Sequence, residues 1–266
     1  MQESFQTIEL FKRVISARQA SQQERKELLF DHAEEVINAL LDNSSLTEEE
    51  LYILAQRKDL SNELFRRLSN DGRVLSSPKV RRALIFNPKT PASISLKFLN
   101  QLFTFDLVAL LLVVGIAGEV KTAAEEMLFR KLGQLSVGEK LTLAKRTNSD
   151  RILTQLLEDS SREVVSSVLI NPFLREGTVC TAIRKGTVKQ HTVELIAINQ
   201  KWSCRHDVRY ALLRTRHITL GLAINFLQSL TQNDLRELAS DPTVSIQIRT
   251  YIKNSLAKTG SLKIKR

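Results

Sequence analysis

Apolar residues along this chain recur at the spacing of one face of an α-helix. Ile94, Phe98, Leu99 and Leu102 share such a face, as do Leu222, Phe226, Leu227 and Leu230, and this period predicts amphipathic helices rather than strands. The polar punctuation agrees. Ser21 with Glu24, Thr47 with Glu50 and Ser136 with Glu139 have the form of capping boxes, in which a hydroxyl accepts from the N3 amide and the acid reaches back to the cap. In Asn87-Pro88-Lys89-Thr90-Pro91, Asn87 suits a helix end. Thr90 is placed to cap the next helix and Pro91 to open it, where a missing N–H costs nothing. The expected motif is helix, tight turn, helix, renewed about every 25–30 residues.

The motif itself recurs. The block from Val80, VRRALIFNPKTPASISLKFLNQLFTFDL, aligns without a gap on VRYALLRTRHITLGLAINFLQSLTQNDL from Val208, an offset of 128 residues. The same offset brings Asp31, Glu35, Val36, Asn43 and Leu46 onto Asp159, Glu163, Val164, Asn171 and Leu174. The expected fold is therefore all-α, an α-α superhelix: a solenoid of stacked helical hairpins with an internal duplication. Its parts are an N-terminal helical cap over 1–27, copies over 28–128 and 156–256, a helical junction over 129–155 and a basic tail over 257–266. LVALLLVVGIAG, from Leu107, is apolar on every face, whereas LRELASDPTVSI, from Leu235, is polar on one. A helix inside a stack is covered on both sides and a terminal one is not, so one continuous solenoid is expected.

The phrase VRRALIFNPKTP, the pair KFLNQLFTFDL and NFLQSLTQNDL, and SVGEKLTLAKR resemble HEAT-like and leucine-rich-variant helical repeat proteins. Among these they look most like uncharacterised bacterial proteins with N-P-x-T-P turns. The resemblance covers most of the chain and implies a stacked helical fold and a scaffold role. Two departures stand out. The cysteine cluster of iron–sulfur-bearing variant repeats is missing, and in the second copy the turn becomes Thr215-Arg216-His217-Ile218-Thr219. Some HEAT-like proteins are alkylpurine DNA glycosylases with a basic concave face, aromatic residues and an aspartate. This chain matches no such aspartate by motif, so no catalytic residue carries over.

Charge adds what periodicity cannot. The chain carries a net +10, and residues 1–133 hold 18 Lys+Arg against 18 Asp+Glu while residues 134–266 hold 21 against 11. So lopsided a field points to an anionic partner for the second half. The densest stretch, Arg175 to Arg216, has nine cations against three acids and the single tryptophan. Arg184, Lys185, Lys189, Lys201, Trp202, Arg205, Arg209, Arg214 and Arg216 are the candidate binding residues. On one reading they present a basic surface to an acidic protein partner. On the other they grip nucleic acid, with Trp202, His206 and His217 stacking on bases. The nucleic-acid reading requires Arg205, Arg209, Arg214 and Arg216 to form one continuous face with Lys201. Arg209 is a weaker candidate, because Arg81 occupies the same position in the neutral half and suggests a structural role at a helix end.

Other chemistry is sparse. Cys180, Cys204, His191 and His206 are ligand types without ligand spacing, so neither a metal nor a cofactor is expected, and Cys180 reads as a buried thiol. There is no nucleophile elbow, P-loop, dinucleotide fingerprint or zinc-protease motif, which argues against an enzyme. MQESFQTIEL lacks the marks of an export signal and Leu107–Ala117 is too short for a membrane span, so a cytoplasmic monomer with reduced cysteines is expected. The closing KIKR is a weak membrane-surface candidate, having no apolar anchor beside it.

Overall fold

The computed structural model describes residues 2–263, with side chains from Thr7 to Ala257. Among the described residues the regular elements are twenty α-helices and one short 3-10 turn, with no strand. The chain divides into two compact units, Met1–Lys131 and Leu132–Arg266. The first holds α1 (Gln2–Gln19), α2 (Gln22–Leu28), α3 (Glu34–Leu41), α4 (Glu48–Gln56), α5 (Asn62–Asn70), α6 (Gly72–Ser76), α7 (Pro78–Phe86), α8 (Ala92–Leu99), α9 (Thr104–Leu112) and α10 (Gly118–Lys131). The second holds α11 (Val137–Arg146), α12 (Asp150–Leu157), α13 (Arg162–Leu169), α14 (Glu176–Arg184), α15 (Gln190–Ile198), α16 (Gln200–Ser203), α17 (His206–Leu213), α18 (Leu220–Leu227), α19 (Gln232–Ser240) and α20 (Ile246–Lys263). The bounds of α3, α4, α5, α8 and α9 each fall 128 residues before those of α13, α14, α15, α18 and α19.

Most of these helices are two to three turns long, too short to persist alone in water, so packing must hold them. In the first unit α1 packs on α3, α3 on α5, α5 on α8 and α8 on α10, while α4 packs on α7. In the second, α11, α13 and α15 form one row and α12, α14 and α17 the other. The rows meet through buried faces such as Val36, Ile37 and Leu40 of α3 and Val164, Val165 and Val168 of α13. Each such side chain contributes about 1.5–3 kcal/mol when fully buried. The stretch expected as a junction supplies α11 and α12, which pack on α13 and α14 as part of the second unit. Likewise the expected cap supplies α1 and α2, both packed on α3.

All three expected capping boxes are present. Glu24, Glu50 and Glu139 accept the backbone amides of Ser21, Thr47 and Ser136 at 2.7, 2.7 and 2.9 Å. Two expectations need correction. Thr90 does not cap a helix: α8 starts after Pro91, and the Thr90 hydroxyl is buried without a partner. The apolar segment from Leu107 is not covered on every face either. Leu107, Val108, Leu110 and Leu111 are buried, but Leu112, in the last turn of α9, is 43% exposed and Val114, past the helix end, 88%. The basic tail lies, from position 258 onward, outside the described side chains, and with it the KIKR segment.

Helix ends buried inside a stack leave carbonyls that need donors. Asparagine supplies several of them. The Asn43 amide donates to the Ala17 and Ala20 carbonyls at 3.1 and 3.3 Å, and that of Asn171 to Ala144 and Thr147 at 2.6 and 3.0 Å. Asn87 spans Ala55 and Arg57 at 2.8 and 2.6 Å. Arginines do the same work in the first unit: Arg57 donates to the Leu29 and Asp31 carbonyls, and Arg73 to Leu41 and Asn43. The second unit serves the corresponding carbonyls with other side chains. Thr192 donates to Leu157, His191 to Asp159, and the Trp202 indole to Leu169 at 2.9 Å. In the first unit α2 and α4 are also tied by a buried ion pair, Arg25–Glu50 at 2.9 Å. Burial alone would raise the Glu50 carboxyl, but the Thr47 amide and Arg25 together hold it below its usual range.

Two outcomes follow. Asn171→Ala strands two buried carbonyls, at about 1–3 kcal/mol for each unsatisfied group. Urea unfolding followed by circular dichroism should show a loss of about 2–6 kcal/mol. Asp59 is held at about 2 by its Arg57 hydrogen bonds against the opposing effect of burial. A depressed carboxyl stabilises the fold above its unfolded value, near 4, and that contribution fades as pH falls from about 4 to about 2. Asp59 is 48% exposed, so the term is at most about 1 kcal/mol. Asp59→Asn should flatten the acid limb of stability between those pH values and leave it unchanged in slope near pH 7.

Candidate anion-binding cleft

The basic candidates fall in two places, set by the direction of the helices. Arg205 is the N-cap of α17 and Arg214 its C-cap, about 13 Å apart along the axis. Lys201, Trp202, Arg205 and Arg209 gather where α16 gives way to α17, whereas Arg184, the last residue of α14, and Lys185, Lys189, Arg214 and Arg216 of the loops lie at the other end of α17. The single face that would join Lys201 and Arg205 to Arg214 and Arg216 therefore does not form.

At the first place the cations are already engaged. Trp202 is 1% exposed, with its indole N–H on the Leu169 carbonyl and the cations of Lys201 and Arg205 4.5 and 5.3 Å from its ring centre. A ring so covered offers no face to a base, which corrects its assignment as a binding residue. Arg205 pairs with Glu176 at 2.6 Å. Arg209 donates to the Ser203 carbonyl and the Ser229 hydroxyl. Arg81, 128 residues earlier, donates in the same way to the Leu75 carbonyl, so Arg209 is a helix-end strut. His206 sits beside them with Asp234 and Asp207 at 3.1 and 3.2 Å. Hydrogen bonds to Asp234, then Asp207, hold its imidazole above the usual histidine range.

The second place is a cleft of about 450 Å³. Three loops of the second unit build it. After Arg184 the chain turns through Gly186 at φ 71°, a left-handed conformation that favours glycine, and Val188 tucks back into the core at 2% exposure. After α17, Thr215 ties its hydroxyl to the Leu212 carbonyl at 2.8 Å, and the chain passes Arg216 and His217 before Thr219 caps α18. Thr243, in the turn before α20, completes the wall. The floor is apolar, formed by Ile183, Val188 and Ala211, and the polar groups stand at the rim.

Among the rim arginines only Arg214 is neutralised within the fold. Its Nε lies 2.7 Å from Asp241 and an Nη 3.3 Å from Glu237, and its guanidinium stacks 4.4 Å from the Tyr210 ring. Burial, and then the hydrogen bond with Glu237, push the Tyr210 hydroxyl up to about 12. Lys185 lies 3.5 Å from Glu158. Arg184 and Arg216 pair with no carboxylate among the described residues, and the Nε of Arg216 donates only to His217, at 3.4 Å. Lys189 is exposed at the head of α15, where, against the effect of burial and with Lys140, its charge helps hold the Asp159 carboxyl below its usual range.

The first unit has a smaller cleft at the corresponding place, about 320 Å³, lined by Gln56, Lys58, Ala83, Phe86, Asn87 and Pro88. There Asn87 threads its amide between two carbonyls, and Pro88 stands against Gly115, where an added Cβ would meet the proline at 3.1 Å. The second unit has Thr215, Arg216 and Thr243 at those positions. The amide wedge and the proline contact are gone, and guanidinium replaces them. Sequence reasoning had singled out the changed turn but had no means of finding Thr243, which reaches the wall only through the α19–α20 turn.

The remaining chemistry stays dispersed. Cys180 is buried in α14, where burial pushes its thiol up, and Cys204 is exposed. Among the described residues no three His, Cys, Asp or Glu side chains gather as metal ligands, and no helix is long and apolar enough to cross a membrane. The chain matches no protein-family model, no curated protein and no solved structure.

Thr215→Asn should restore the amide wedge between the carbonyls after α14. The expected outcome is a gain of about 1 kcal/mol in urea unfolding, one net hydrogen bond; an unchanged or lower midpoint would mean that the loop cannot accept the clasp.

Proposed function

We propose that this chain is a helical-repeat scaffold without chemistry of its own, which holds an acidic protein segment on the basic loops of its second unit. Arg184 and Arg216 carry the reading: two guanidiniums without acid partners, set over an apolar floor in the unit that bears the whole charge surplus. Several neighbouring cations are matched to the fold's own acids or carbonyls, as at Arg205, Arg209 and Arg214. Exposed cations left over are available to a partner. Repeat architecture supports the same reading. We take the two units as copies of one superhelical stack, on the strength of the shared helix bounds at the 128-residue offset and of packing in two rows. Stacks of this kind offer loop edges that suit extended ligands.

The nucleic-acid alternative is the weaker one. Stacking on Trp202 is blocked by its burial, and the cations are divided between the two ends of α17. Fluorescence anisotropy separates the readings. A labelled glutamate-rich peptide should bind near physiological salt and weaken about tenfold or more with Arg184→Glu plus Arg216→Glu, a charge reversal worth at least ~1.4 kcal/mol. Labelled oligonucleotides should bind only at low salt. Tighter oligonucleotide binding, with a steep salt slope, would favour the nucleic-acid reading and reject this one.

A further inference from the structure

The cleft has more specificity than its charge alone requires. Its floor, Ile183, Val188 and Ala211, is hydrocarbon, and its volume of about 450 Å³ lies within the range of roughly 300–1,000 Å³ usual for ligand sites. A surface built only to attract acids needs no such recess. From its shape and chemistry we infer that it takes an apolar side chain flanked closely by a carboxylate, within an extended acidic segment of a partner protein. The apolar side chain enters between Ile183, Val188 and Ala211, and the carboxylate meets the guanidiniums of Arg184 and Arg216 at the rim. This rests on the scaffold reading above and narrows it to a motif.

Helix direction favours a single carboxylate over a phosphate. Anions of high charge are usually cradled by free backbone N–H groups. Four amides of the cleft loops are used internally: Gly186 donates to Ile183, Arg214 to Ala211, Thr215 to Leu212, and Thr243 to the Asp241 carboxylate, at 3.1, 3.2, 3.0 and 2.8 Å. Both α14 and α17 also end at the cleft, and helix C-termini carry partial negative charge. With Asp241 and Glu237 behind Arg214, a dianion is opposed more strongly than a single carboxylate. What remains on offer is the planar guanidinium, whose paired N–H donors match a carboxylate. The loops at 184–189 and 214–219 follow one another along the unit, which favours an extended chain lying across them.

Three labelled heptapeptides test the motif against the full chain: alternating glutamate and leucine, the same with leucine replaced by serine, and the same with glutamate replaced by glutamine. The first should bind, and each replacement should weaken it about tenfold or more. Arg184→Gln with Arg216→Gln should cost the first peptide a similar factor and leave the glutamine version unaffected. Methyl NMR of the unmutated protein gives a readout independent of any variant's folding: the Ile183 and Val188 methyls should shift with the leucine peptide. If the serine version binds equally well, or those methyls stay still, the motif is wrong while the acidic-segment reading stands. If none of the acidic peptides binds, both fall.

Discussion

Short helices stacked in rows bring their ends into the interior, and every such end carries carbonyl groups that water can no longer reach. The fold depends on answering them. It does so with side chains that start elsewhere in the chain: the amides of Asn43, Asn87 and Asn171, the guanidiniums of Arg57 and Arg73, the indole of Trp202 and the hydroxyl of Thr192. These bonds join residues some 23–35 positions apart, so each one fixes one helix against another. Hydrophobic burial supplies most of the favourable energy, but it has no direction. The clasps supply the direction, because an amide can satisfy two carbonyls only in one register.

The two units answer the same demand with different residues. Arg57 and Arg73 close carbonyls in the first unit, where their counterparts at the 128-residue offset are Lys185 and Lys201. In the second unit Thr192, His191 and Trp202 take over those carbonyls. Lys185 turns instead to Glu158 and Lys201 to the Trp202 ring, and the acids that balance the first unit are fewer, 11 against 18. The basic field thus comes mostly from fewer acids, not from the exchange of donors at helix ends. The same exchange at Thr215 and Arg216 removes a wedge and opens the cleft.

Much of this was legible in residue order, and the reasons for the gaps are physical. Apolar period and capping boxes are local, and the helices they predict are present. Asn43 and Asn171 stood out as matched positions, although their carbonyl partners lie on other helices and could not be named from spacing. The candidate cations were found by density along the chain, but density does not know helix direction. Residues 205 and 214 are near neighbours in sequence and sit at opposite ends of α17. Trp202 was misread because a lone aromatic among cations looks the same whether it faces a ligand or the core. Pro91 likewise ends up before α8 rather than within it, since the Asn87 clasp sets where the turn closes.

The same buried indole has an optical consequence. The chain has one tryptophan, and it lies in the second unit, pinned to the Leu169 carbonyl at 1% exposure. Its emission colour is therefore a private signal of that unit, whereas far-ultraviolet dichroism sums the helices of both. Where the two signals part company along a denaturation curve, the units come apart in separate steps; where they coincide, the chain unfolds as one cooperative body.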